Sequence, residues 1–338
     1  MQSIRHGGAL DRAIAQHGGE RGDWLDLSTG INPVAWKVPE MGPDVWQRLP
    51  DEALMRDCLD AARACYGVPY GAAIVAAPGT QAIIQWLPIL FNHLDRVAIV
   101  SPTYGEYQQV FRMTGVAIDT PSAWPADPES VDLLVAGQPN NPDGRIWPKE
   151  AVAPFTQGRK VAVIDEAFAD VAPDVSLVGE TGGPGLLVLR SFGKFFGLAG
   201  LRLGFAIGDP DVIEALSGMI GPWAVSGPAL AIGAQALRDE AWIAATRARL
   251  ADDSARLAAV LETRGFEVVG RTDLFVTATH AEAHGIADAL AGRHILTRVF
   301  DHDTALIRFG LPADEDGLAR LDSALAVVGS RVHNTPKC

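Results

Sequence analysis

Cysteine is scarce in this chain of 338 residues: Cys58, Cys65 and Cys338 are the only three, and they carry no paired metal-ligand spacing. That argues against a disulfide framework and against a zinc site, and it suits a reducing compartment such as the cytoplasm. Positive charge is also short. With 28 Lys and Arg against 41 Asp and Glu the net charge is -13, so most of the surface repels polyanions and nucleic-acid binding has little electrostatic support. An anionic ligand must meet a local cationic pocket. No run approaches the ~18 uninterrupted apolar residues of a membrane span, and Met1 to Leu10 hold no apolar stretch of signal-peptide length. A soluble, unprocessed chain with no membrane partner is expected.

What the chain does have is 48 % hydrophobic residues, 35 Gly and 22 Pro, the profile of a loop-rich enzyme-like body with a sizeable core. Residues 1–50, rich in Gly, Pro and Trp, read as an extended N-terminal arm. Apolar residues at helical spacing predict a helix over Glu52 to Tyr66, ended by Gly67 and Pro69. Short apolar runs then predict buried strands at Arg96 to Val100, Asp132 to Ala136, Lys160 to Ile164, Leu186 to Leu189 and Leu203 to Ile207. Between most of them lie helical patterns at Thr80 to Phe91, Tyr104 to Met113 and Pro210 to Ile220. This alternation implies a three-layer α/β/α large domain with a mostly parallel sheet over residues 51–230. Ligands of such sheets gather at the carboxyl ends of the strands.

The pattern changes after Pro228. An Ala-rich helix over about Ala229 to Arg264, broken near Asp239, precedes strands at Phe266 to Val269, Leu274 to Ala278, Ile295 to Phe300 and Ala305 to Leu311, with helices near Glu282 to Leu290 and Asp314 to Val328. That is a smaller C-terminal α+β domain over residues 231–338.

Ser191-Phe192-Gly193-Lys194-Phe195-Phe196-Gly197 follows a predicted strand and leads to Arg202. A lysine in a Gly-rich, largely apolar stretch is partly desolvated and thereby a better nucleophile toward an aldehyde. Ser191 and Arg202 bracket it with a hydroxyl and a fixed cation, which suit a phosphate. A lone lysine of this kind is more often a surface residue near a turn. Upstream, however, Pro139-Asn140-Asn141-Pro142-Asp143-Gly144 follows one predicted strand, and Asp165-Glu166-Ala167-Phe168 ends the next. Either alone could be a plain turn or a helix cap.

Taken in order, Asn-Asn-Pro-x-Gly, Asp-Glu-Ala, Ser-x-x-Lys and Arg resemble the fold-type I pyridoxal-5'-phosphate (PLP) enzymes of the aspartate-aminotransferase superfamily, over nearly the whole chain. The resemblance implies a homodimer that holds PLP as a Schiff base on Lys194, with Asp165 on the pyridine nitrogen and Asn141 on the phenolic oxygen. It gives the cofactor phosphate to Gly79, Thr80 and Gln81 at a helix start, with Ser191 and Arg202. Tyr104 stacks on the ring, Tyr107 one turn later reads as packing, and Arg308, a charge within the apolar pattern Leu306 to Leu311, grips a substrate carboxylate.

Two positions depart from the pattern. Phe168 stands where many aminotransferases have a tyrosine that also donates to the phenolic oxygen, and Leu49 where relatives commonly place a tyrosine reaching the neighbouring subunit. Asp-Glu-Ala-Phe, the arm His6-Gly7-Gly8 and Leu25-Asp26-Leu27-Ser28-Thr29-Gly30-Ile31-Asn32-Pro33 resemble the threonine-phosphate decarboxylase branch. The resemblance implies a small phosphorylated amino acid as substrate, with Arg5, His6, Gly7, Gly8, Asn32 and Asn141 as further substrate contacts and no metal. The alternative is a transaminase of the histidinol-phosphate aminotransferase kind. A non-catalytic binding protein of the same fold would have no use for Lys194.

Overall fold

Seven short runs of aliphatic residues pair into one sheet in a computed structural model of the chain, which describes residues 7–332. The strand order is Ala73–Ala77, Gly204–Gly208, Leu186–Ser191, Val161–Asp165, Leu133–Gly137, Val97–Ile99, Ile118–Asp119. The last five are mutually parallel, while Gly204–Gly208 runs antiparallel to both of its neighbours. The reversal matters for the site. Seven chain segments reach the same end of the sheet: six leave it after the six strands that run one way, and Arg202 arrives there just before its own strand begins.

Helices Thr80–Leu90, Glu106–Arg112 and Pro210–Ile220 cover one face, where Ile84, Leu87, Phe111 and Leu216 pack on Leu133, Val135, Val163 and Leu187. On their own, local signals place the helix ends. Asp51 accepts from the Leu54 N–H at 2.9 Å to start Glu52–Tyr66, and Gly67 ends it at φ 66°, where a side chain would be strained. Asp209 and Pro210 start Pro210–Ile220 in the same manner.

The division of the chain differs from 1–50, 51–230 and 231–338. Residues 35–141 and 145–244 form the large unit, and residues 7–34, 142–144 and 245–332 form the other. Helix Gly227–Leu237 belongs with the large unit because it packs along Glu52–Tyr66. The first fifty residues are not one extended arm. Leu10–His17 is helical, and Leu25–Asp26 pairs in parallel with Ile295–Leu296, which ties residues up to 34 to the second unit. The expected strand Ile295 to Phe300 is broken at Thr297: Ile295–Leu296 joins that pair, whereas Arg298–Phe300 edges a four-stranded antiparallel sheet with Asp303–Gly310, Phe275–Thr279 and Glu267–Thr272. Strands Ala73–Ala77 and Ile118–Asp119 had no sequence signal strong enough to read, the first because alanine has low strand propensity. No helix among the described residues is long and apolar enough to cross a membrane.

Alternation along Val161–Asp165 turns Glu166 away from Asp165. Glu166, wholly buried, accepts from Ser176, from the Leu177 N–H and from Arg190, and Arg190 also donates to Asp170 at 2.8 Å while lying over the Tyr66 ring. This buried cluster ties the ends of the two strands that carry Asp165 and Ser191. Arg190→Met is expected to leave two buried carboxylates without their cation and to cost about 3–5 kcal/mol, read as a lower urea midpoint. A midpoint equal to the parent's would show that the cluster contributes nothing net.

Candidate active site

The strand ends of the large unit open on a cleft of about 840 Å³, mouth included, within the range of sites for small organic ligands. Every residue that the sequence assigned to the cofactor lines it: Gly79, Thr80, Gln81 and Arg202 at one end, Tyr104, Asn141 and Asp165 in the middle, Ser191 and Lys194 beyond. Gly79 sits at φ 80° and starts helix Thr80–Leu90, and no side chain caps that helix. A Cβ at Gly79 would come within 2.5 Å of the Arg202 guanidinium, so only glycine lets backbone N–H groups and this cation share one small volume. Arg202 itself is held at φ 57°, a conformation rare for a residue with a side chain, and donates to the Ala199 carbonyl at 3.0 Å.

Lys194 lies in the short helix Phe192–Phe195, which three aromatic contacts immobilise. Phe192 stacks on Phe196 with centroids 4.4 Å apart, Phe196 stacks on Trp242 at 5.6 Å, and Phe195 meets Trp242 edge-on at 5.5 Å. Gly193 is required by close approach, since a Cβ there would stand 2.7 Å from the Ala199 Cα. The Lys194 amine faces the Phe168 ring at 5.9 Å. Asn140 does structural work beside Asn141: it accepts from the Thr103 hydroxyl and donates to the Pro102 carbonyl, joining two loops.

Asp165 is partly buried and opens on the cleft. Its carboxylate accepts from the Tyr107 hydroxyl at 2.8 Å and from the Ala167 N–H at 3.0 Å. Burial raises its pKa above the usual value, and the Tyr107 and Ala167 hydrogen bonds and the Lys194 charge oppose that rise. A cation presented in the cleft would complete the compensation. Tyr104 donates to the Gln81 carbonyl oxygen at 3.0 Å, and Gln81 donates to the buried Glu106 at 2.8 Å. Burial first, then the charges of Glu106 and Asp165, push the Tyr104 hydroxyl up to about 12 against the pull of Arg202, so it remains a donor. The Gln81 side chain is thus committed to Tyr104 and Glu106, which leaves its backbone N–H for a ligand. Tyr107, read from the sequence as packing, is packed and also tied to Asp165. No local signal could reveal this, because the two residues lie 58 positions apart.

In the second unit, the other assigned residues converge around Ser28. Arg308 donates to the Ser28 carbonyl at 3.0 Å, the Gly8 N–H donates to the Ser28 hydroxyl at 2.7 Å, and that hydroxyl donates to Asp26 at 2.6 Å. A Cβ at Gly7 would lie 2.3 Å from the Ser28 carbonyl oxygen. Asn32 is buried and accepts from Arg249 at 2.7 Å and from the Val34 N–H at 3.0 Å, so its carbonyl oxygen shapes the loop. Arg5 and His6 lie outside the described residues. Arg308 is buried, and Arg298, which the sequence did not single out, stands directly opposite it across the strand pair. Burial, with Arg298 second, pulls the Arg308 pKa down to about 9, still a cation at neutral pH and one that an anion would stabilise. Among the described residues no group of three or more His, Cys, Asp or Glu is placed to hold a metal ion.

An amine, a carboxylate, an aromatic face and an uncapped helix start with an arginine make a donor set that fits a phosphorylated pyridine aldehyde. Comparison with known proteins agrees. The chain is 42% identical to a threonine-phosphate decarboxylase of Sinorhizobium sp over 96% of this chain and 98% of that one. It is 40% identical to a threonine-phosphate decarboxylase of Pseudomonas aeruginosa over 95% and 97%. Its fold matches the crystal structure of histidinol-phosphate aminotransferase from Sinorhizobium meliloti in complex with pyridoxal-5'-phosphate, with a TM-score of 0.82 at 20% identity over 98% of this chain and 96% of that one. With the aminotransferase class I and II model matching residues 51–316, the chain belongs to that family and its cofactor is pyridoxal 5'-phosphate.

Proposed function

We propose that this enzyme decarboxylates L-threonine O-3-phosphate to 1-amino-2-propanol O-2-phosphate, a step of cobalamin biosynthesis. The observation that carries the reading is the 42% identity, sustained over nearly the full length of both chains, to a threonine-phosphate decarboxylase. The like-charged pair of buried Arg308 and half-buried Arg298 supports it, since such a pair in a chain of net charge -13 suits an anionic substrate.

PLP, when bound, supplies an electron sink for the pair left behind when CO2 departs from Cα. The side chains contribute as follows in this reading. Lys194 would hold the cofactor through Nζ and, as a free ammonium, would deliver to Cα the proton that takes the place of the departed CO2. Asp165 would keep the pyridine nitrogen protonated, Asn141 would donate to the phenolic oxygen, and the Tyr104 ring would cover the face. The N–H groups of Gly79, Thr80 and Gln81 hold the cofactor phosphate with Ser191 and Arg202. Arg308 takes the substrate carboxylate, and Gly7 and Gly8 with Arg5, His6 and Asn32 serve the substrate phosphate. A homodimer in the cytoplasm completes the proposal. Large apolar side chains left exposed on the large unit, Trp46, Leu49 and Trp223, are surface that a second copy can cover.

Purified holoenzyme given L-threonine phosphate without any keto acid is expected to release CO2 and aminopropanol phosphate in equal amounts. Turnover that requires a keto acid acceptor would instead make the chain a transaminase. Lys194→Ala should abolish turnover while melting as the parent does, because the amine belongs to the chemistry and not to the core; near-normal steady-state rates would remove it from the mechanism. Deleting residues 1–8 should lower kcat/KM for threonine phosphate about ten- to a hundredfold, the effect of one lost charge-assisted contact, with PLP content unchanged. Equal kinetics for the truncated and full-length chains would take those residues out of the phosphate site.

A further inference from the structure

Tyr107 combines two properties that a packing residue does not need together. It is 1% exposed, set in helix Glu106–Arg112 among Val110, Phe111 and Ile84, where phenylalanine would fill the same space. Yet its hydroxyl is placed 2.8 Å from Oδ2 of Asp165, while the Ala167 N–H holds Oδ1. A hydroxyl in apolar surroundings is costly unless paired, and here the acceptor is the one carboxylate, among the described residues, that lines the cleft. The groups acting on Asp165 are thus few: the Tyr107 hydroxyl, the Ala167 N–H and the Lys194 charge. Of these, the Lys194 charge is altered whenever the amine carries the cofactor, which leaves the two hydrogen bonds as the constant support of the ionised form.

The same helix turn also anchors the ring above the cleft. Glu106 accepts from Gln81, Gln81 accepts from Tyr104, and the Tyr104 ring meets the Tyr107 ring edge-on with centroids 6.3 Å apart. Residues 104–107 therefore set both the aromatic cover and the orientation of the carboxylate. We propose that Tyr107 is a positioning residue whose hydroxyl holds Asp165 ionised and aimed, so that Asp165 in turn keeps the ring nitrogen of the bound cofactor protonated. Charge-assisted hydrogen bonds from O–H to a carboxylate are among the stronger ones, and losing one from a sheltered carboxylate favours the neutral acid. A neutral acid no longer selects the protonated ring.

The inference rests on the proposed pairing of Asp165 with the ring nitrogen, and is independent of which substrate the enzyme takes. Holoenzyme reconstituted with PLP labelled with 15N in the ring reports the protonation state directly, without turnover. Tyr107→Phe, which keeps the ring and its packing, is expected to move the 15N signal toward that of unprotonated pyridine and to weaken PLP binding roughly tenfold to a hundredfold. Asp165→Asn is expected to move the signal further, and adding Tyr107→Phe to Asp165→Asn should produce no additional change, because Tyr107 acts through Asp165. If Asp165→Asn shifts the signal and Tyr107→Phe leaves it at the parent position, the role given to Tyr107 is wrong while the cofactor pairing stands. If neither variant shifts it, the pairing of Asp165 with the ring nitrogen fails first. A Tyr107→Phe chain that melts lower yet keeps the parent 15N signal and PLP affinity would reduce Tyr107 to packing.

Discussion

An acid side chain taken out of bulk water tends to give up its charge, and the large unit is organised around preventing that at Asp165. Strand Val161–Asp165 ends with two acids in succession, and the pleat sends them to opposite sides. Glu166 is compensated permanently by Arg190, Ser176 and the Leu177 N–H. Asp165 is compensated only in part, by Tyr107, Ala167 and the Lys194 charge, and its remaining capacity faces the cleft. One acid holds the scaffold together and its neighbour is left answerable to a ligand. In the proposed pairing, the cofactor's ring cation would supply what the protein withholds.

Much of this was legible because the chemistry sits in loops that follow strands, where Gly, Pro, Asn and Ser signal turns and where a charged residue among apolar ones is conspicuous. Lys194, Asp165, Asn141, Ser191 and Arg202 were picked out on those grounds with the help of a family resemblance, and the structure gathers them around one cleft. What stayed hidden depends on register and distance. Arg298 looks like any surface arginine until the antiparallel pairing sets it opposite Arg308. The hydroxyl of Tyr107 finds its acceptor only once helix Glu106–Arg112 lies on the sheet. The break at Thr297 divides one apolar run between two sheets, and apolar pattern alone does not distinguish a long strand from two short ones. Helix Gly227–Leu237 reads as the start of the second domain because the composition turns Ala-rich there; its Ser226 cap and its packing on Glu52–Tyr66 keep it in the first.

The second unit faces the opposite electrostatic problem. Its strands Arg298–Phe300 and Asp303–Gly310 bring two arginines side by side, and one of them is buried. Like charges directly opposite each other weaken a strand pair, so the arrangement is one that folding alone would not favour. The Ser28 carbonyl, set by the turn from Asp26 to Ser28, accepts from Arg308 and fixes where that cation sits.

The backbone at Arg202 carries a similar tension into the question of how this enzyme can be improved. A non-glycine residue held at φ 57° is strained by about 1–3 kcal/mol, and a glycine there would relieve the strain in the empty chain. Selection for heat resistance alone would therefore favour losing the guanidinium that crowds Gly79, and with it the cation at the helix start. On the proposed role of Arg202 at the cofactor phosphate, a screen for robust variants would need cofactor retention as a second criterion, since at this position the more durable chain would be the one less able to keep what it carries.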